Sequence, residues 1–265
     1  MPKNGPDRFR EALAAVYAEA PGRVLPNPLW KTLVELNTGT FSCLVEAANH
    51  VVTRLSAYSR EVLALYWTLD RSEPLPPALI KGVNLALLHA DFASTGVRSA
   101  FPCQEGYFRL IRRGPLDVNV QLPSGFRLWP AEPEREAPQV ADFIARCYRD
   151  LRPTAQAVRR WTHHPTFAPD LWLWIIDEIH DRPAALGIAE FDVRHREAAL
   201  EWVQVLPIYH RRGLGTALVQ ALLQRLASRA LFTTVSGRID NPSHPEALYR
   251  RCGFQGDDVW WILRR

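Results

Sequence analysis

The chain has 265 residues, 47% hydrophobic and 23% charged, and its formal net charge of +4 is spread evenly along its length. Such a chain can hold two globular domains, and its scattered arginine pairs (Arg112-Arg113, Arg159-Arg160, Arg211-Arg212) make no basic arm for nucleic acid. It has no run of roughly eighteen apolar residues to span a membrane and no signal peptide in Met1–Asp7, and Cys43, Cys103, Cys147 and Cys252 follow no metal spacing, which predicts a cytoplasmic, metal-free protein with four free thiols.

Asp7 caps a predicted helix over 7–20, with Phe9, Leu13, Val16 and Tyr17 on one face and Pro21-Gly22 at its end. A second helix over 30–36 closes at Asn37-Thr38-Gly39. Residues 42–46, 50–55 and 62–69 are short and rich in β-branched or aromatic side chains; they read as three strands of a meander, with helix as the rival reading. Pro76-Pro77 then predicts a helix over 78–92, striped by Leu79, Val83, Leu87 and Leu88. Tyr107–Ile111 reads as a strand. The turn-rich residues 114–125 mark the boundary between an N-terminal α+β domain, 1–125, and a second domain, 126–265. The first domain has no glycine-rich strand–helix turn and is expected to bind no nucleotide.

The second half alternates more regularly. A strand over 126–130 leads to a helix over 132–151, with Val140, Phe143, Ile144 and Cys147 on one side, and a further helix over 154–162. Strands follow over 171–176, 183–193 and 198–206. A long helix carries Leu214, Ala217, Leu218, Ala221, Leu222 and Leu226 at helical spacing. After a strand over 232–237, Ser243 and Glu246 form a capping box, Gly253 closes that short helix, and 259–263 is the last strand. Between strand and long helix stands Pro207-Ile208-Tyr209-His210-Arg211-Arg212-Gly213-Leu214-Gly215. Glycines there admit a ligand close to the backbone and aim several N–H groups at one point, where the helix dipole is also positive. The result is an anion site suited to phosphate or pyrophosphate. It is not a P-loop, for no Gly-Lys-Ser/Thr follows, and not the dinucleotide fingerprint, for Leu218 replaces the third glycine.

A strand, then Pro-x-Tyr-x-x-Arg-Gly-x-Gly, then a helix, and later Leu248-Tyr249-Arg-Arg-Cys-Gly253-Phe254: this order resembles the Gcn5-related N-acetyltransferase (GNAT) superfamily over residues 126–265. The first half resembles either a degenerate copy that lacks the loop or a small α+β domain that packs on the second half. The resemblance implies an α/β (α+β) GNAT fold, a central mixed and mostly antiparallel sheet flanked by helices, plus a smaller N-terminal α+β domain. It implies an acetyl-CoA-dependent N-acetyltransferase acting by direct transfer on a small-molecule or peptide amine, as a monomer or homodimer. A non-catalytic acyl-CoA-binding or sensing module is the alternative. The implied cofactor site comprises Val205, Leu206, His210, Arg211, Arg212, Gly213, Leu214, Gly215 and Thr216, with Asn241, or Ser243 in its stead, on the pantetheine arm. His210 departs from the family's usual Gln or Arg, and Asn241 is one residue farther from Tyr249 than usual.

N-acetyl transfer needs a base for the amine proton and an acid for the leaving thiolate. Tyr249, a phenol with an ordinary pKa of about 10, suits the thiolate, and the resemblance puts it at the sulfur; packing on the sheet is the other reading. Glu201 and Glu190, each an isolated carboxylate in an apolar strand, compete as the base, and a water chain would replace both. Strict alternation puts Glu201, Val203 and Val205 on one face of their strand and Trp202, Gln204 and Leu206 on the other. Trp161, Trp172, Trp174 and Trp202 either line an amine cleft or fill the core.

Overall fold

The computed structural model describes residues 5–38, 41–114, 120–148 and 151–265. Gly39, residues 115–119 of the expected boundary and residues 149–150 of the expected 132–151 helix lie outside the described residues. In chain order the elements are α1 (Gly5–Glu19), α2 (Pro21–Val24), α3 (Leu29–Thr38), β1 (Ser42–Ala48), β2 (Val51–Tyr58), β3 (Val62–Thr68), β4 (Leu85–His89), α4 (Thr95–Arg98) and β5 (Cys103–Arg113). Then come β6 (Phe126–Pro130), α5 (Pro133–Cys147), α6 (Ala155–Thr162), β7 (Trp172–Asp177), β8 (Arg182–Asp192), β9 (Glu197–Val205), α7 (Leu214–Leu226), β10 (Phe232–Arg238), α8 (Pro245–Arg251) and β11 (Gln255–Arg264). Contacts group the chain into two compact units. The first holds residues up to Ile111 with Ser236–Glu246 and Gly256–Arg265, the second Arg112–Val235 with Ala247–Gln255. No helix of the described residues is long and apolar enough to cross a membrane.

In the first unit the strands run in the order β1-β2-β3-β4-β11-β5. The expected meander β1–β2–β3 is antiparallel, joined at Asn49-His50, where both residues adopt positive φ (50° and 67°), as a tight hairpin with right-handed twist requires. Phe9, Leu13 and Tyr17 form the buried stripe of α1. A Cβ at Gly22 would collide with Asp258 Oδ2, and Trp260 Nε1 donates to the Gly22 carbonyl at 2.6 Å, so α2 is seated directly on β11.

The helix expected over 78–92 is absent. A single 3₁₀ turn, Pro77–Leu79, precedes β4, which pairs parallel with Val62-Leu63 and antiparallel with Trp260–Arg264. Leu79, Val83, Leu87 and Leu88 do repeat at helical spacing, but ladders to two distant strands override that local pattern and bury Ala86 and Leu88 completely. Residues 103–106 also extend the strand expected over 107–111.

The second unit orders its strands β10-β9-β8-β7-β6, with β10 parallel to β9 and every other pair antiparallel. This is the mixed, mostly antiparallel sheet expected, with helices on both faces. On one face Gly187 leaves room for Leu218 of α7, since a Cβ there would stand 2.8 Å from its Cγ. On the other, Phe143 of α5 meets Trp174 edge-on at 5.2 Å, and Trp161 of α6 lies 6.4 Å from Trp172. Trp172 and Trp174 are 2% and 1% exposed, so these two of the four tryptophans fill the core.

Candidate functional site

The site grows from the end of β9. Its ladder with β10 covers only Glu197–Leu200 against Phe232–Val235, while β9 runs on to Val205 beside β8 alone. Leu206 N–H donates to Ala184 O at 3.0 Å, so by alternation the main-chain groups of Val205 and Val203 point away from β8. His210 Nε2 donates to the Val205 carbonyl at 2.9 Å, which places its proton on Nε2. Pro207–Tyr209 makes one 3₁₀ turn, and Arg211 and Gly213 then take left-handed φ values of 62° and 80°. Gly213 is the N-cap of α7 and offers no side-chain acceptor; the first helical bond is Ala217 N–H to Gly213 O at 3.1 Å. The N–H groups of Leu214, Gly215 and Thr216 therefore have no acceptor within the helix, and with the dipole they make its end attractive to an anion. Gly215 also has a packing role. A Cβ there would press on Leu248 Cδ2 at 3.3 Å, so its absence lets the first turn of α7 lie on α8.

Tyr209, which sequence reasoning did not single out, ties this turn down. It is 3% exposed; its hydroxyl donates to Asp177 Oδ2 at 2.6 Å and accepts from Arg182 Nε at 2.9 Å. The guanidinium groups of Arg182 and Arg212 lie 5.8 and 5.4 Å from its ring centroid, and Phe126 meets the ring edge-on at 5.8 Å. Asp177, at the end of β7, also accepts from the N–H groups of Ile179 and His180 and bonds His180 Nδ1. The Tyr209 hydroxyl above all, then the His180 and backbone bonds, hold its carboxyl far below the usual carboxylate range. The turn before α7 is thus fastened to the β7–β8 hairpin. The signal in the sequence was Tyr209 itself, a phenol in a polar turn; its partner lies 32 positions away.

Tyr249 is placed by the end of α8. Gly253 N–H donates to Arg250 O (3.0 Å) and Phe254 N–H to Tyr249 O (3.1 Å), with Gly253 at φ 85°, a Schellman closure. Its accompanying apolar contact is the Phe254 ring edge-on to Tyr249 at 5.8 Å. The Leu-Tyr…Gly-Phe spacing is therefore the geometry of a helix end that fixes one tyrosine. Burial, then the nearby Tyr148 and Cys252, raises the Tyr249 phenol well above its ordinary value, so it stays protonated at neutral pH.

Glu201 departs from the expected alternation. Trp202 pairs with Ile188, yet Leu200, two residues earlier, pairs with its neighbour Ala189, so Glu201 is the extra residue of a β-bulge. Val203 and Val205 oppose Gly187 and Ala185 on the α7 face, whereas Trp202 and Gln204 lie on the α5–α6 face. Strict alternation cannot carry Glu201 onto the face of Val203. Glu190 shares the face of Ile188 and hence of Trp202. Both carboxylates are half-buried.

Residues 137–254, from α5 to Phe254, match the family model described as Acetyltransferase (GNAT) family. The chain carries a GNAT acetyltransferase domain. Solved structures of similar fold include a GCN5-related N-acetyltransferase from Sphaerobacter thermophilus, 12% identical, covering 99% of this chain and 93% of that one with a TM-score of 0.63. A tandem GNAT protein from the clavulanic acid biosynthesis pathway is 14% identical over 97% of this chain and 95% of its own, with a TM-score of 0.59. An acetyltransferase from the GNAT family of Colwellia psychrerythraea is 9% identical over 96% of each chain, TM-score 0.57. At these identities the likeness is one of fold. No curated protein matches the chain.

Within the GNAT domain the turn, Tyr249, Glu190 and Glu201 all belong to the second unit, whereas Asn241 and Ser243 fall in the first. There they bond each other: Asn241 Oδ1 accepts from the Ser243 N–H (3.0 Å) and hydroxyl (2.8 Å). The expected capping box is not formed with Ser243 as N-cap. Pro245 is the first residue of α8, which puts Ser243 one position too early. Cys43, Cys103, Cys147 and Cys252 are free thiols. Burial raises Cys147 to about 11 and raises Cys252 as well.

Proposed function

We propose that the protein transfers the acetyl group of acetyl-CoA to a primary amine, directly and in the cytoplasm, where four free thiols are at home. GNAT family members use acetyl-CoA, and the observation that carries the reading here is the glycine-capped start of α7. Its open N–H groups, with those of Arg211 to Gly213, form a donor set suited to a pyrophosphate. Val205, Leu206 and the edge that β9 exposes beyond Leu200 would receive the pantetheine arm. His210 helps by holding the Val205 carbonyl.

A carboxylate, Glu201 or Glu190, takes one proton from the amine. The nitrogen attacks the acetyl carbon, the C–S bond breaks, and the thiolate takes the proton of Tyr249. One amide and one free thiol result, and the proton on the carboxylate returns to Tyr249 through solvent. Raised thiols at Cys147 and Cys252 are poor nucleophiles, which supports transfer without an acyl-enzyme. We assign catalysis to residues 126–265, and read 1–125 as a GNAT-like repeat without a phosphate turn; similarity of fold over nearly the whole chain to a tandem GNAT protein supports this.

Calorimetry with acetyl-CoA, paired with thiol release against an amine panel, tests the proposal. Binding followed by amine-dependent thiol release is expected. Binding without transfer to any amine would instead indicate a sensing module, and no binding would reject the site.

A further inference from the structure

The bulge of β9 adjoins an aromatic surface. Trp161 of α6 stacks on Trp202, their centroids 5.5 Å apart and their planes 23° from parallel. Tyr148, just after α5, meets the same Trp202 ring edge-on at 6.0 Å. The buried Trp172, 6.4 Å from Trp161, lies beneath. Trp161, Trp202 and Tyr148 themselves are half-buried, unlike Trp172 and Trp174, so they are the rings that solvent or a ligand can reach. Tyr148 also lies near Tyr249, so the aromatic group borders the acid. Glu190 shares the face of Trp202, and Glu201 directly precedes Trp202 at the bulge.

We infer that this aromatic face is the acceptor subsite, and that the acceptor is a primary amine borne on a flat apolar body, an arylalkylamine. The inference rests on the acetyl-transfer reading above and narrows its substrate class. Indole and phenol rings give a flat ligand large contact area. They also hold an ammonium group by its charge, and Glu190 on the same face, with Glu201 next in sequence to Trp202, adds charge complementarity. An amino sugar fits this surface poorly: its many hydroxyls would give up water for rings that return no hydrogen bonds. A long polyamine would leave most of the aromatic area uncovered. The amine arrives protonated, loses one proton to solvent and one to a carboxylate as it attacks, and the thiolate leaves with the proton of Tyr249.

The test uses the full chain with acetyl-CoA and four acceptors: 2-phenylethylamine, spermidine, kanamycin and an alanyl peptide. Calorimetry with CoA runs alongside. We expect 2-phenylethylamine to have the highest kcat/KM of the four. Trp161→Leu should raise its KM about five- to tenfold while CoA affinity stays unchanged, and Trp161→Phe should restore most of it. A higher kcat/KM for spermidine, kanamycin or the peptide overturns the acceptor class. So does an unchanged KM in a folded Trp161→Leu protein. If CoA binds but 2-phenylethylamine is neither acetylated nor bound, the subsite assignment alone falls. If CoA does not bind, the acetyl-transfer reading falls and takes the subsite with it.

Discussion

β4 and β9 each end in a turn that leads to a helix, yet the two helix starts differ in what they leave open. After β4 the helix α4 has four residues, and the Ser94 hydroxyl at its N-cap accepts the Val97 N–H at 3.3 Å. After β9 the helix α7 has thirteen residues, and its cap is a glycine in the left-handed region with no side chain to offer. A capping side chain satisfies the donor that an anion would need, and a one-turn helix sums few peptide dipoles. A glycine cap on a long helix does the reverse: it forgoes only a few tenths of a kcal/mol of capping and leaves donors and dipole to a ligand. Strand–turn–helix order alone is thus no phosphate site.

The largest effect that would sharpen this contrast is catalytic. Tyr249→Phe should keep acetyl-CoA affinity and lower turnover by about 10²- to 10⁴-fold, the range for loss of a general acid. Rapid-quench measurement of the chemical step checks it, and an unchanged step would reduce Tyr249 to packing. Next comes the glycine cap. Gly213→Val forces a β-branched residue to φ 80°, and adding Gly215→Val pushes Leu248. Acetyl-CoA affinity should fall at least about tenfold; calorimetry showing equal affinity would break the contrast. The anchor should matter less. Tyr209→Phe removes the 2.6 Å bond to Asp177 but keeps the ring between Arg182 and Arg212. KM for acetyl-CoA should rise a few-fold, on the order of the 1 kcal/mol of one hydrogen bond, with kcat nearly unchanged.

The smallest effect depends on pH. Asp177 has a depressed folded-state pKa, so its ionised form stabilises the fold above the unfolded value of about 3.9, and that contribution is lost as pH falls through the lower folded value. Thermal melts of the parent protein and Asp177→Asn should therefore differ at pH 7 and converge in strong acid. A constant gap would show that Asp177 acts by shape alone. The first unit makes its own demand on the comparison: titration should find one CoA per chain, and a second equivalent would mean that α4 or its neighbours bind nucleotide after all.

The parts of the site that were readable in the sequence are local. Gly213, the helix from Leu214, and Gly253 with Phe254 each express a preference set within one or two turns of chain. What was misread depends on distant partners. Leu85–His89 looks helical until Trp260–Arg264 is laid beside it. Trp172 and Trp202 share one face of the sheet, and only the cover of α5 and α6 decides that the first is sealed and the second reachable. The pairing of Tyr209 with Asp177 joins two turns that no local rule connects.

The bulge at Glu201 makes β9 two short strands spliced one residue out of phase. From Glu197 to Leu200 the strand keeps time with β10 on one side and β8 on the other; from Trp202 onward it keeps time with β8 alone. Deleting Glu201 would bring the two phases into one: Leu200 would still oppose Ala189 and Trp202 would still oppose Ile188, now as adjacent rungs of a regular ladder. Trp202 and Gln204 would keep their side of the sheet, and only the extra length of chain would go. The splice therefore works as slack: it adds one residue to β9 just where the ladder with β10 stops, at no loss of a rung against β8.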